Sequence, residues 1–222
     1  MSNRSIHTLL KNWDEECPLT REEAVEVLNL PEEEMDSLME CAYALRTKYK
    51  GKKVSVQLLT NVRSGNCTQN CAYCAQSKDS QAEIEKYKRV SDEKLYGDND
   101  LVDEKHLARH CIGLSGIGFS DEEIEDLADR IREMKKKDTQ ICCSIGFLTE
   151  KQARILKDAG LDRINHNLNS SRSFYPEICT THTYDQRVNN IKMLQSLGFE
   201  ICSGGIVGMG ESKEDIVDML MD

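Results

Sequence analysis

Two kinds of apolar pattern alternate along most of the chain, and together they predict its secondary structure. Short apolar runs predict strands at residues 54–59, 110–114, 141–146, 163–168 and 200–208. Most of the intervening segments repeat their apolar residues every three or four positions, which predicts amphipathic helices. Strands that alternate with helices through short connections predict a parallel α/β sheet.

Local signals mark where several of the predicted helices begin and end. Residues 82–109 are polar and predict no definite helix, whereas the last residues, ESKEDIVDMLMD, predict one. Pro31 is placed like a first-turn proline, and Gly51, Gly160 and Gly198 are placed like helix stops. A Ser or Thr followed three residues later by Glu or Gln is typical of a capping box. Such pairs are Thr20 with Glu23, Ser120 with Glu123, Thr149 with Gln152 and Thr183 with Gln186.

Two parallel architectures compete for this pattern. A doubly wound sheet would need a phosphate-binding glycine turn after its first strand, but a cysteine cluster stands there. A (β/α) barrel carries its chemistry on the loops after the strands, and polar or cysteine residues follow several strands here. The sequence therefore predicts an α/β fold of the TIM-type (β/α) barrel class. About five of the eight βα units of a closed barrel are present, so we expect an incomplete barrel and the first part of a longer protein.

The predicted domains are an N-terminal helical segment, residues 1–52, and a barrel core truncated at its C-terminus, residues 53–222. The chain has 222 residues with 39 acidic and 29 basic side chains, a net charge of -10. This excess of negative charge argues against a nucleic-acid or anionic-membrane partner. A signal-peptide core and an 18-residue apolar run are both lacking, so we expect a cytoplasmic protein.

Ten cysteines in a cytoplasmic chain are more typical of metal ligands or reactive thiols than of disulfides. Three of them, Cys67, Cys71 and Cys74, fall in the eight residues CTQNCAYC. Four-iron four-sulfur (4Fe-4S) clusters normally take four cysteines, so three thiolates would leave one iron open to another ligand. A zinc site completed by a distant histidine, or surface cysteines without a role, remain alternatives.

The cysteine motif, with an aromatic residue before its third cysteine, resembles that of the radical S-adenosyl-L-methionine (SAM) enzymes. The longer stretch NVRSGNCTQNCAYCAQS, together with NHNLNSS, TTHTYDQR and CSGGIVGMGE, resembles the biotin synthase family within that superfamily. These motifs occur in the family's order across residues 54–211, and their combination is specific.

The resemblance implies an enzyme in which the open iron of a 4Fe-4S cluster binds SAM. In the family, reductive cleavage of SAM yields a radical that activates carbons of dethiobiotin, and an auxiliary iron–sulfur cluster, 2Fe-2S or a variant, supplies the sulfur of biotin. The expected activity is thus that of a sulfurtransferase in the last step of biotin biosynthesis. The resemblance also implies flavodoxin or ferredoxin as the electron donor and a homodimer.

The same resemblance assigns Cys111, Cys142 and Cys202, on three separate strands, to the auxiliary cluster. Successive strand residues point to opposite faces, so only one of Cys142 and Cys143 should face the interior, and the resemblance selects Cys142. The other cysteines, Cys17, Cys41 and Cys179, have no motif around them, and we expect core or surface positions.

The remaining site residues are also implied by the resemblance. Arg187 matches an arginine near the methionyl carboxylate, although a helix-surface arginine in a salt bridge is the competing interpretation. His166 should face away from its two asparagine neighbours and pack as a structural histidine. The residues expected to bind SAM or substrate are Tyr73, Asn165, Asn167, Asn169, Arg187, Gly204 and Gly205.

The chain departs from the family at three places. Asn169 stands where the family usually has an aspartate, His182 stands where it usually has an arginine, and GLSGIG replaces a more aromatic segment after Cys111. Two alternatives to biotin synthase therefore stay open. One is another radical SAM enzyme of the same subfamily, and the other is an inactive truncated iron–sulfur protein.

Overall fold

The computed structural model of the protein describes residues 19–222, which form two compact units. One unit contains the described residues up to Val54 together with Glu211–Asp222, and the other is Ser55–Gly210. The C-terminal helix is thus grouped with the N-terminal helices. The division at residues 52 and 53 stays a prediction.

The elements follow the expected alternation of strands and helices. A 3₁₀ helix, Glu32–Glu34, precedes the second α-helix. None of the described helices is long and apolar enough to cross a membrane. In chain order the elements are α1 Arg21–Leu28, α2 Met35–Lys50, β1 Gln57–Arg63, α3 Asp92–Glu104, β2 Arg109–Leu114, α4 Asp121–Met134, β3 Ile141–Ser144, α5 Glu150–Asp158, β4 Arg163–Asn165, α6 Tyr175–Ile178, α7 Tyr184–Ser196, β5 Glu200–Cys202 and α8 Lys213–Met221.

The four predicted capping boxes are confirmed, because each Ser or Thr side chain accepts a hydrogen bond from the backbone amide of the third helical residue. The Glu or Gln side chain at that third position accepts one from the backbone amide of the Ser or Thr. A fifth capping box joins Ser212 and Asp215 at the start of α8. In the first unit, Arg21 of α1 forms an ion pair with Asp218 of α8. Pro31 precedes the 3₁₀ helix and does not occupy the first turn of α2, so that helix begins later than the sequence indicated.

The five strands are all parallel and lie in the order β1-β2-β3-β4-β5. A doubly wound sheet reverses its strand order, whereas a barrel adds each new strand beside the previous one. The sequential order therefore confirms the barrel class, with five strands among the described residues.

The strand register divides the sheet into two faces. Ile112, Cys143 and Ile164 pair with one another and are fully buried in an apolar cluster with residues of α4 and α5. On the opposite face, one row consists of Leu59, Cys111, Cys142, Arg163 and Glu200. The next row toward the carboxyl ends consists of Asn61, Gly113, Ser144, Asn165 and Cys202.

The first strand lies three to four residues later than predicted. Val54 and Val56 are exposed, and β1 continues through polar residues to Arg63. One of these, Thr60, is buried because its hydroxyl donates to Asp98 at 2.6 Å and contacts His110 Nε2 at 2.8 Å. Asp98 belongs to α3, which lies in the polar region that predicted no definite helix. Ser91 caps its N-terminus.

Candidate metal centre

An irregular loop after β1 carries the three motif cysteines. The loop begins with two left-handed residues, Gly65 (φ 70°) and Asn66 (φ 54°), which turn the chain away from the strand. The amide of Gly65 donates to the Gln76 side chain at 2.7 Å, and Lys78 N donates to Gln69 O at 2.9 Å. These bonds close the loop on itself, so the cysteines are held on one compact turn.

The carboxyl ends of β2–β4 and this loop surround an open cavity of about 230 Å³. The motif thiols open into it, with Cys71 buried and Cys67 and Cys74 half-buried. The predicted site residues that line this cavity are Cys67, Cys71, Cys74, Tyr73, Asn165, Asn167, Asn169 and Arg187.

Arg187 is half-buried on α7, and its guanidinium is held by neutral groups. Nε donates to the Tyr175 hydroxyl at 2.5 Å, Nη1 donates to the Asn167 carbonyl at 3.1 Å, and Nη2 lies 2.9 Å from His182 Nε2. Among residues 19–222 it has no carboxylate within ion-pair distance. A positive charge fixed at a cavity wall without a counter-ion is suited to bind an anionic ligand group. The structure thus disagrees with the surface salt-bridge interpretation.

The loop after β4 ties the neighbouring strand to the cavity. Asn169 is buried with a left-handed backbone (φ 70°), and its amide and carbonyl bond to Gly204 O and Ile206 N. Gly204 and Gly205 are themselves exposed and do not line the cavity. A Cβ on Gly204 would lie 4.0 Å from the side-chain oxygen of Asn167. In this structure the two glycines therefore contact the asparagine loop, and any contact with a cofactor stays a prediction.

His166 does not face away from its neighbours. Strand β4 ends at Asn165, so the alternation that the sequence suggested stops there, and His166 lines the same cavity as Asn165 and Asn167. Its ring is buried and lies 5.4 Å from that of Phe147. Burial, with a smaller effect from the Arg187 charge, lowers the pKa of His166 to about 4, so the imidazole is neutral at pH 7.

The cysteines Cys111, Cys142 and Cys202 lie on the same sheet face, apart from the cavity lining. Cys111 and Cys142 are directly paired across β2 and β3, and Cys202 lies one row higher on β5. A hydrogen bond from Cys142, aided by the charges of Arg109 and Arg163, lowers the pKa of Cys111 to about 7. The hydrogen bond, burial and the neighbouring sulfurs raise the pKa of Cys142.

Two arginines beside these thiols have buried nitrogen atoms without hydrogen-bond partners, namely Nε and Nη1 of Arg109 and Nε of Arg163. Buried N–H groups normally find an acceptor, so these atoms indicate that an anionic group fits here. Thiolates and sulfide are such acceptors. The donor set of three sulfurs and two guanidinium groups therefore fits an iron–sulfur cluster, as the three thiols of the β1 loop do.

Cys143 occupies the other face. Its side chain is fully buried in the apolar cluster beneath the helices, and burial raises the pKa of its thiol. Of the two adjacent cysteines, only Cys142 therefore lies on the sheet face that carries Cys111. Of the other cysteines, Cys41 is half-buried on α2, Cys179 is buried, and Cys17 lies outside the described residues.

Several residues of the site were not identified from the sequence. The cavity is also lined by Gln69, His182, Ser144 and Gly116. Tyr175 lies outside this lining, and its hydroxyl accepts a hydrogen bond from Nε of Arg187. His182 was noted only as a departure from the family. Its ring lies 2.9 Å from both Gln69 Oε1 and the Tyr175 hydroxyl. The one available signal was the spacing of Cys179 and His182 in CTTHTY, which resembles that of metal ligands.

The fold and the site define the class of protein. The sequence profile of the radical SAM superfamily matches residues 61–222. The structure is similar to methylornithine synthase, with a TM-score of 0.84 and 16% identity over 97% of this chain and 62% of that one. It is also similar to the FeFe-hydrogenase maturase HydG from Carboxydothermus hydrogenoformans, with a TM-score of 0.80 and 20% identity over 96% and 51% of the two chains. The chain belongs to the radical SAM superfamily of enzymes.

Within this superfamily the chain is similar to biotin synthases. It is 41% identical over 202 residues to biotin synthase of Geobacillus kaustophilus (strain HTA426), covering 90% of this chain and 61% of the relative. It is 40% identical over 206 residues to that of Rhodopirellula baltica (strain DSM 10527 / NCIMB 13988 / SH1), covering 92% and 57%. The chain thus spans about 60% of the length of these relatives.

Proposed function

We propose that the chain carries the cofactor-binding part of a biotin synthase, a radical SAM sulfurtransferase that converts dethiobiotin to biotin. The observation that carries the proposal is the joint presence of Cys67, Cys71 and Cys74 in one cavity with Asn165 and the free charge of Arg187. The similarity to biotin synthases supports the choice of substrate within the superfamily.

The three motif thiols would hold a 4Fe-4S cluster, and Cys111, Cys142 and Cys202 would hold an auxiliary iron–sulfur cluster, 2Fe-2S or a variant. When bound, the first cluster supplies the electron that cleaves SAM, and the auxiliary cluster supplies sulfur. Flavodoxin or ferredoxin would deliver the electron, and the protein would work in the cytoplasm as a homodimer.

The protein's own residues would bind and orient the two small molecules. Arg187 would grip the methionyl carboxylate of SAM, because its guanidinium is already fixed by Tyr175 and Asn167 and needs little reordering. The side-chain amides of Asn165 and Asn167 would hydrogen-bond the ureido ring of dethiobiotin or a ribose. The buried imidazole of His166 and the ring of Phe147 would exclude water from one cavity wall.

Anaerobic reconstitution with iron and sulfide tests the metal assignment. The protein should bind one 4Fe-4S cluster through the β1 loop, and replacing Cys67, Cys71 and Cys74 together by Ala should remove its absorption and all cleavage of SAM. Cys41→Ala is the matched control, because it removes a thiol from α2, and it should leave both unchanged. Iron and sulfide retained by the triple variant at this site would contradict the assignment.

The role of Arg187 is tested by SAM binding to the reconstituted protein. Arg187→Gln should weaken SAM binding by about 10- to 100-fold, since a hydrogen bond to a charged group typically contributes about 1.5–3 kcal/mol. Arg154→Gln removes an exposed arginine that pairs with Glu150 on α5 and should have no effect. Equal affinity in Arg187→Gln and the wild type would contradict the role.

The substrate is tested by complementation of a biotin-requiring strain under anaerobic growth and by calorimetric titration with dethiobiotin. Binding that is lost in Asn165→Ala but kept in Asn190→Ala would support the assignment, because Asn190 bonds to Leu148 and lies outside the cavity lining. SAM cleavage without dethiobiotin binding or complementation would favour another reaction of the same subfamily.

A further inference from the structure

A second group of metal-ligand side chains lies beside the cysteine loop. Among residues 19–222, the donor atoms of Cys71, Cys179 and His182 all lie within 4.8 Å of one another, and all three side chains are buried. The sulfur atoms of Cys71 and Cys179 are 3.8 Å apart. The ring nitrogens of His182 lie 3.3 Å (Nδ1) and 3.8 Å (Nε2) from the sulfur of Cys179.

Two of these separations, between the two sulfurs and between Cys179 and His182, are close to the edges of a tetrahedral zinc site. Zinc bonds of about 2.3 Å to sulfur and about 2.0–2.1 Å to nitrogen place two sulfurs about 3.8 Å apart and a sulfur and a nitrogen about 3.5 Å apart. The sulfurs of Cys71 and Cys179 already lie at the sulfur–sulfur separation of such a site. One ring nitrogen of His182 lies slightly closer to the sulfur of Cys179 than the expected sulfur–nitrogen separation, and the other lies slightly farther away. Small side-chain movements would therefore complete the geometry.

The backbone brings these residues together across more than 100 positions of sequence. Ala72 N donates to Ile178 O at 2.9 Å, next to the two cysteines in the chain. The side-chain oxygen of Asn70 accepts hydrogen bonds from the amides of Thr180 and Thr181 at 3.1 and 3.3 Å. These three bonds lay the two segments side by side, so Cys71 and Cys179 face each other before any metal binds.

A hydrogen bond also orients the histidine. Arg187 can only donate, so its contact with His182 requires a lone pair on Nε2 and places the ring proton on Nδ1. That proton is donated to Gln69 Oε1 at 2.9 Å. Histidines that bind metal commonly donate their other ring N–H to such an acceptor. The Nε2 lone pair is thus available to a cation once the Nη2 group of Arg187 and the Tyr175 hydroxyl, each 2.9 Å from Nε2, move aside.

We propose that the reduced, cluster-free protein binds Zn²⁺ through Cys71 Sγ, Cys179 Sγ and His182 Nε2. Two thiolates balance the charge of the ion, so the complex is neutral beside the guanidinium of Arg187. Three protein ligands leave the fourth position of the tetrahedron open to water or to a small thiol. Cys71 belongs also to the proposed 4Fe-4S site, so zinc here and that cluster would exclude each other; this consequence, unlike the zinc site, rests on the proposed function.

The test is a zinc titration of the metal-free, anaerobically reduced chain against a chromophoric chelator. Cys179→Ser and His182→Gln should each weaken zinc binding by roughly 100-fold or more, since loss of an outer-shell partner alone typically gives about 10- to 100-fold. Cys67→Ser and Cys74→Ser are the matched controls, because they alter the cysteine loop without touching this group, and both should keep the wild-type affinity. Cobalt substitution should give a thiolate charge-transfer band that is weaker in Cys179→Ser.

The opposite pattern would overturn the proposal. Weaker binding in Cys67→Ser and Cys74→Ser, with wild-type affinity in Cys179→Ser, would place zinc on the three motif thiols. Circular dichroism and urea unfolding of each metal-free variant separate a lost ligand from a lost fold. If zinc binds as proposed, preloaded zinc should block cluster uptake in the wild type but not in Cys179→Ser. If zinc binds but cluster uptake is unaffected, the proposed cluster ligands are wrong and the zinc site stands.

Discussion

Replacing the adjacent cysteines of β3 by serine, one at a time, should affect stability very differently. Cys143 is fully buried in the apolar cluster between the sheet and the helices. A serine there would bury a hydroxyl among apolar groups, and an unsatisfied buried polar group typically destabilises by about 1–3 kcal/mol. We therefore expect Cys143→Ser to lower the free energy of unfolding by about 2 kcal/mol.

Cys142 lies on the opposite face, paired with Cys111 and with Arg163. A serine at this position can exchange a hydrogen bond with the neighbouring thiol, so the loss should stay below about 1 kcal/mol. Urea unfolding of the metal-free, reduced protein measures both variants. With a slope of about 2 kcal/mol/M, Cys143→Ser should move the midpoint by about 1 M and Cys142→Ser by less than half of that.

Cys41→Ser is the control for removal of a thiol, because Cys41 is half-buried on α2 in the other compact unit. Metal-free protein is used so that the result does not depend on the proposed clusters. Equal midpoints for the two β3 variants, or a larger loss in Cys142→Ser, would refute the assignment of these side chains to opposite faces of the sheet.

Three further predictions follow from other parts of the structure. Gly146→Ala should destabilise the protein by several kcal/mol or prevent folding, because the added Cβ would lie 2.4 Å from the backbone oxygen of Ile117. Gly118→Ala is the control and should be tolerated, because a Cβ there has no atom within 4 Å. Thermal unfolding of the two variants measures the difference. Burial lowers the pKa of His110 in the folded protein to about 4, whereas the value in the unfolded chain is 6.5. As the pH falls, the unfolded chain therefore takes up a proton on this histidine before the folded protein does. The contribution of His110 to stability should thus be full above about pH 6.5 and fall by about 3 kcal/mol toward pH 4, and a urea series at several pH values should show a flatter profile for His110→Gln. Ser120→Ala should lower the free energy of unfolding by about 1 kcal/mol, because it removes the N-terminal cap of α4. Ser120→Thr is the control, because it retains a hydroxyl. An unchanged unfolding midpoint in Ser120→Ala would exclude a stabilising role for the cap.

The features that the sequence predicted correctly depend on short-range signals. Thr149 and Thr183 mark helix starts because a capping box involves only four consecutive residues. The opposite orientation of Cys142 and Cys143 follows from the pleat of a strand. The barrel class follows from the alternation of elements along the chain.

The features that the sequence did not predict depend on contacts between distant segments. Strand β1 contains the polar Thr60 because Asp98 and His110 satisfy its hydroxyl from other elements. The contact between Cys71 and Cys179 joins residues 108 positions apart. The orientation of His166 depends on where β4 stops pairing with its neighbours, and the pattern of residues 163–168 does not mark that point.

The sequential order of the strands has a consequence for the time course of folding. Paired residues are 21 positions apart between β3 and β4 (Cys142 with Arg163) but 52 apart between β1 and β2 (Gln57 with Arg109). Closing the longer loop is less favourable by about 0.8 kcal/mol in chain entropy, so we expect β3 and β4 to pair early and β1 to join late. Pulsed hydrogen exchange during refolding should protect the amide of Asn165, which faces β3, before that of Thr60. The cysteine loop lies in the segment between β1 and β2, so its thiols would come close to one another only after the rest of the sheet has formed.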